Sequence, residues 1–412
     1  MKFYKVKLWN LHDADKINLN IQNFAVMIQI MNGIDVFLQD LEVNKGLRYA
    51  IVTNNAAFTS DRILSRLALI KNEFNLIKIF SPEHGISVKG EDGIYQKNSM
   101  DIKTDLPIIS LYGDRFMPTE ENLSDIDVVL FDIPDVGCRF YTYLWTMTYI
   151  MEACAKYQKQ LIILDRPNPI GGDLDMAEGP MLDEANCSSF IGRWSIPLRH
   201  SCTLGELANY FSNRKVSDLD LKIIPVKNWN RNQTAGTPGF DFYPTSPAIQ
   251  NFSTALIYPG MGLLEGINVN EGRGTEKPFL QFGAPWINAG ELHQHLFDKL
   301  IFGIKSKPCR YVPKDSLYKG ENCNGLELTI TDEKTIQPVS FGIKLLSLLF
   351  ELYPLHIQER AYVTNANPTG NGHLDKLLGI KNAFDLFKSN ASVDPVVSQL
   401  WSEEITSFLL YE

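Results

Sequence analysis

Five short apolar runs, at residues 49–53, 76–80, 107–111, 128–133 and 160–164, recur between stretches of helical character such as 61–70 and 146–157. Runs this short with little polar alternation suit strands covered on both faces, because a strand with one wet face alternates. Strand and helix in alternation predict right-handed βαβ units and a parallel sheet. Each run ends in a cluster of polar, Gly or Pro residues: Thr53-Asn54-Asn55, Ser81-Pro82-Glu83-His84-Gly85, Tyr112-Gly113-Asp114, Asp132-Ile133-Pro134-Asp135 and Asp165-Arg166-Pro167-Asn168. Ligands of open α/β sheets bind beyond the carboxyl ends of the strands. These ends are therefore expected to converge on one cleft.

The texture changes near residue 215. A strand is expected at 221–226, then a Pro/Gly/Asn-rich passage to 259, a stretch dense in Gly and charge over 260–288, and helices at 291–302 and 341–352. The fold class read from this pattern is α/β: a Rossmann-like, mostly parallel sheet domain over 33–214 and a smaller α+β domain over 215–412. Residues 1–32 form an N-terminal extension of unassigned role. Pockets favour domain boundaries, so the active site is expected in the cleft between the two.

Composition excludes several classes. With 44% hydrophobic and 21% charged residues in 412, the chain can bury a large core, and a formal charge of −9 argues against a nucleic-acid binder. The six cysteines include no CxxC pair or zinc-finger spacing, so free buried thiols are expected. The apolar run at 24–31 is too short to span a bilayer, and no export signal opens the sequence. As written the chain reads as cytoplasmic, or as periplasmic or secreted if a leader has been removed. Nothing in the sequence specifies an oligomeric state.

Several residues can carry chemistry. Glu83 and His84 sit between Pro82 and Gly85, a turn that would hold a carboxylate and an imidazole rigidly at a sheet edge. A helix-capping Glu beside a hydrogen-bonded His fits the same residues equally well. Asp132 can serve as nucleophile, base or partner of Arg139, while Asp135 reads more readily as a helix cap. Arg139 lies beside Phe140 and Tyr141, and Arg grips carboxylates bidentately. Arg166 either binds an anion or pairs with Asp165. Arg199 and His200 precede Thr203, an expected N-cap with Glu206 as its capping-box partner. The segment from Glu265 to Thr275, with Asn268, Glu271, Arg273 and three glycines, is hard to explain as core. No GxGxxG or GxxxxGK[ST] occurs, which weakens a nicotinamide or nucleotide reading.

Taken together, SPEHG, SLYGD, DIDVVLFDIPDVGCRFYTYLWTM, LDRPNPIGG, EGP, IPLRH with TLGELA, YPGMGLLEGINVNEGRGT, GAPW, HLDKLLG and FLLYE resemble the NamZ-like exo-β-N-acetylmuramidases, glycoside hydrolase family 171. The resemblance implies release of N-acetylmuramic acid from the non-reducing end of peptidoglycan-derived saccharides, with no cofactor and no metal. It makes Glu83 the acid/base candidate with His84 beside it, and Asp132, Glu265 and Glu271 candidates for the second acidic role. Arg139, Arg199 and Arg273 become candidates for the lactyl carboxylate, and Asn54, Asp135, Tyr141, Arg166, His200 and Asn268 further substrate contacts. The chain departs from the family pattern at Pro134, at Ser201-Cys202 and at Asn270. Two other readings compete: a binding protein without catalysis, and a metal-assisted hydrolase using the scattered His84, His200 and Asp132.

Overall fold

A computed structural model describes residues 29–298, 303–395 and 399–412. The main sheet has seven strands in the order β3-β4-β2-β1-β5-β6-β7. They are β1 (Tyr49–Thr53), β2 (Leu76–Ser81), β3 (Ser99–Met100), β4 (Pro107–Ser110), β5 (Val128–Asp132), β6 (Gln160–Leu164) and β7 (Leu221–Ile224). All pairings are parallel except β3 with β4. Every residue of β1 and β5 is buried, as unalternating apolar runs require. The expected α/β architecture is the observed one.

The strand at 221–224 corrects the boundary drawn near 215. It pairs with β6 from Leu161–Leu221 to Leu164–Ile224 and completes the large sheet. The polar passage that follows, not the helix before it, is where the chain leaves that sheet. Beyond it, β8 (Gln281–Ala284), β9 (Ile304–Tyr311) and β10 (Cys323–Ile330) form an antiparallel sheet in the order β8-β10-β9.

One hydrophobic core runs through both parts. It joins Val129 and Phe131 of β5 to Leu256 and Met261 of the helix Phe252–Met261 and to Leu345 and Leu349 of the helix Pro338–Leu352. Those two helices touch backbone to backbone where Gly260 meets Gly342. A Cβ on Gly260 would collide with the Pro338 carbonyl. A shared close-packed core resists relative sliding and so keeps the intervening cleft in shape.

Local expectations hold with shifted ends. The helix expected at 61–70 begins at Ser65, and the one at 146–157 begins earlier, at Thr142. Thr203 caps Leu204–Arg214, with Glu206 closing the capping box. The helix expected at 291–302 is seen as Ala289–Asp298, and 299–302 lie outside the described residues. So do 1–28 of the N-terminal extension. All six cysteines are free, and five are buried. Among the described residues no helix is long and apolar enough to cross a membrane.

Candidate active site

β2 ends at Ser81, and the chain then turns sharply, with His84 at φ 65° and Gly85 at φ 67°. Left-handed backbone is inexpensive for glycine but uncommon for histidine. The turn is held from the far side of a loop: His84 Nδ1 donates to Gly90 O at 2.9 Å, and Gly90 N donates to His84 O at 3.1 Å. His84 Nε2 is thereby left facing Asp92 at 3.7 Å. Glu83 is buried. Its Oε1 accepts the Gly93 N–H at 2.8 Å and its Oε2 accepts the Thr142 hydroxyl at 2.7 Å. Burial raises its proton affinity and outweighs the opposing field of His84, while the neighbouring Asp92 raises it further.

Asp92 was not among the residues singled out from sequence. The loop from Gly85 to Gly93 folds back so that one ligand atom from each of Glu83, His84 and Asp92 lies within 4.8 Å of the others. Tyr362 donates to Asp92 Oδ2 at 2.6 Å and Arg273 Nη2 lies 3.2 Å from the same oxygen. Burial pushes Asp92 upward, but Arg273, His84 and the Tyr362 hydroxyl together hold it below the ordinary carboxylate range. The sequence signal was present: an acid before a glycine, close behind SPEHG.

Arg273 bridges three carboxylates. It reaches Glu265 at 2.7 Å, Glu271 at 3.2 Å and Asp92 at 3.2 Å. Glu271 is fully buried and also receives Arg360 at 3.0 Å. Burial raises Glu271, Arg360 and Arg273 oppose that, and Glu265 adds to it. Glu265 lines the same cavity as Glu83 and Asp92, which is walled by Tyr112, Phe140, Tyr141 and Tyr258.

Other expected site residues lie elsewhere. Arg139 is fully buried, donates to the carbonyls of Pro180, Ile196 and Leu377, and is not among the residues lining the cavity. Arg199 donates to Ile170 O at 2.9 Å and lies 3.7 Å from Glu178. Both guanidiniums hold the framework, which corrects their assignment to a substrate carboxylate. Arg166 closes on Asp132 at 2.6 and 3.1 Å, so Asp132 has a buried cationic partner and does not line the Glu83 cavity. Arg166 pairs with Asp132, not Asp165. Asp135 does not cap the helix Thr142–Lys156: it accepts the Gly137 N–H and faces His200 at 3.4 Å. Asn54 is buried and accepts the Ala56 N–H. Asn268 ties Gln358 N and His356 O across a surface turn. The proposed ligand set of His84, His200 and Asp132 does not assemble. Among the described residues the group with metal-ligand spacing is Glu83, His84 and Asp92, where Arg273 competes for Asp92.

A second cavity lies beyond the carboxyl ends of β1, β5 and β6, lined by Ser60, Asp135, Arg166, Phe240 and Thr245. Sheet order reverses between β1 and β5, so this is the crevice that α/β topology favours. Tyr141 of the first cavity donates to Thr245 Oγ1 of the second at 2.7 Å, and the pair forms part of the wall between them.

Family models described as exo-beta-N-acetylmuramidase NamZ match the chain, the N-terminal one over residues 49–253 and the C-terminal one over 256–410. The chain is 34% identical over 391 residues to the peptidoglycan beta-N-acetylmuramidase NamZ of Bacillus subtilis (strain 168), covering 93% of this chain and 92% of that one. It also resembles two crystal structures of DUF1343 family proteins from Bacteroides fragilis NCTC 9343. One has a TM-score of 0.80 at 28% identity, over 93% of this chain and all of that one. The other has a TM-score of 0.71 at 27% identity, over 93% and 99%.

Proposed function

Since the chain belongs to the NamZ family of exo-β-N-acetylmuramidases, we propose that it removes terminal N-acetylmuramic acid from peptidoglycan fragments, with Glu83 as the general acid. The observation that carries this reading is the divergence of two neighbouring carboxyl groups. Burial raises the proton affinity of Glu83, while Arg273, His84 and Tyr362 lower that of Asp92. Two acids whose surroundings push their proton affinities apart are equipped for separate roles at a glycosidic bond.

In this mechanism Glu83 donates its proton to the leaving oxygen as the C–O bond breaks. Positive charge then grows on the anomeric carbon and ring oxygen. Asp92 supplies the negative charge that stabilises it, directly or through the sugar's acetamido group, until water adds to the anomeric carbon and returns a proton to the Glu83 carboxylate. The Gly93 N–H and Thr142 hydroxyl orient the Glu83 carboxyl and stabilise the carboxylate it becomes. Glu265 and Glu271 hold Arg273 against Asp92, which makes them positioning residues in this reading. Aromatic walls from Tyr112, Phe140 and Tyr258 offer surfaces for the C–H faces of a sugar.

The test is incubation with an aryl N-acetyl-β-muraminide and, separately, the matching glucosaminide. Selective cleavage of the muraminide is the expected result. Cleavage of neither would overturn the proposal.

A further inference from the structure

A muramic sugar differs from a glucosamine sugar by a lactyl ether that ends in a carboxylate. A cavity lined by Glu83, Asp92 and Glu265 needs a cation to accept it. The arginines do not supply one: Arg139 and Arg199 serve the framework, and Arg273 is closed by three carboxylates. The basic residues that line the cavity are His84, His373 and Lys376, and His84 is tied to Gly90.

His373 and Lys376 lie on the short helix His373–Leu378, three residues apart and hence on one face. His373 is 4% exposed and stacks on Tyr362 with ring centres 4.5 Å apart and planes 9° apart. Neither of its ring nitrogens has a hydrogen-bond partner. Its nearest acid, Glu265 Oε2, stands 3.9 Å from Nε2. The other Glu265 oxygen is paired with Arg273, which offsets its repulsion of an incoming anion. Lys376 is half-buried. Its Nζ donates to the backbone carbonyl of Asn371 at 3.0 Å, and no carboxylate pairs with it among the described residues. A buried imidazole with no hydrogen-bond partner, near an ammonium that no carboxylate pairs among the described residues, is chemically suited to an anionic group.

We propose that Lys376 and His373 receive the free lactyl carboxylate of the substrate, Lys376 by charge and His373 by a ring N–H. This rests on the reading that the cavity takes a muramic sugar. Amide formation at that carboxyl would remove the charge these two side chains are placed to meet. Charge-assisted hydrogen bonds to a carboxylate are the stronger kind and lose most when one partner is removed.

The experiment is calorimetric titration of the full chain with N-acetylmuramic acid and with its lactyl N-methylamide. Wild type is expected to bind the acid more tightly, by about 10- to 100-fold. Lys376→Met erases that preference, Lys376→Arg restores most of it, and His373→Gln lowers it. If Lys376→Met does not fold, the wild-type ratio still decides, since it must shrink with added salt. Equal binding of both ligands by wild type, or an undiminished preference in Lys376→Met, overturns the proposal. A chain that prefers the acid yet cleaves no muraminide would sink the hydrolase reading and leave this one standing. A chain that cleaves the muraminide without that preference would do the reverse.

Discussion

Glu83 and Asp92 face one cavity with carboxylate oxygens within 4.8 Å, and their surroundings move their proton affinities in opposite directions. That relationship carries the first three expectations.

Glu83→Gln removes the transferable proton while keeping the local bonds. The amide oxygen still accepts the Gly93 N–H, and the amide NH₂ donates to a Thr142 hydroxyl that now accepts. We expect kcat on an aryl muraminide to fall about 100- to 10,000-fold with KM little changed. Steady-state kinetics beside a thermal melt check this. Full activity in a folded variant would remove Glu83 from the chemistry.

The pH profile follows from the same directions. With Glu83 as the general acid and Asp92 as its ionised partner, kcat/KM is expected to fall as pH rises through the elevated Glu83 pKa. The same mechanism predicts that the rate falls as pH drops through the depressed Asp92 pKa. A bell-shaped profile is expected, with the Glu83 limb on its alkaline side and the Asp92 limb on its acid side. Asp92→Asn should slow the enzyme and abolish the acid limb while the alkaline limb persists. An unaltered acid limb in Asp92→Asn would assign it to another group.

Carboxyl separation bears on stereochemistry. Inverting glycosidases hold their acids about 6.5–9.5 Å apart to admit a water, and retaining ones about 5–5.5 Å apart. One carboxylate oxygen of Glu83 and one of Asp92 lie within 4.8 Å of each other, which favours the retaining arrangement. We expect the β-anomer of N-acetylmuramic acid as first product, read by proton NMR during early turnover. An α-anomer formed first would require a different partner, with Glu265 the next acid on the cavity.

Arg139 is a framework residue, and its substitution is expected to report on stability. Burial pushes its pKa down to about 10, and its donors satisfy three carbonyls from separate segments. Arg139→Met orphans all three, at a cost of about 3 kcal/mol or more in chemical denaturation. The folded fraction should keep its KM for the muraminide. A variant as stable as wild type with a raised KM would return Arg139 to substrate binding.

Near the C-terminus, Tyr411 donates to Asp165 Oδ2 at 2.6 Å. Burial raises Asp165 to about 6, against the hydrogen bonds from Tyr411, Thr203 and Gly205. With a folded pKa above the unfolded one, its contribution is complete below about pH 4 and is lost as pH rises through about 6. Tyr411 favours the charged form, so Tyr411→Phe should cost more at pH 8 than at pH 5. About 2–3 kcal/mol against about 1 kcal/mol is expected from denaturation at each pH. A cost independent of pH would show that Tyr411 contributes by packing alone.

The sheet was legible because it is encoded locally. Unbroken apolar runs marked β1, β2, β5 and β6, and Pro82 with Gly85 marked the turn that carries Glu83. Thr203 and Glu206 announced a helix start within four residues. The seventh strand was visible as a strand but was given to the second domain, since pairing partners are not written beside it.

The sequence by itself determined the parallel α/β sheet, the polar ends of its strands and the identity of Glu83 as a carboxyl group held at one of them. The tertiary structure decided which charges line the cavity and which are closed within the frame. Arg139, Arg199 and Asp132 looked like site residues and are closed by buried partners, while Asp92 and Lys376 looked ordinary and line the cavity. The reason is range. Periodicity and turn chemistry act over a few residues, whereas a charge takes its role from partners within about 4 Å. For Arg139 one such partner is 238 positions away along the chain.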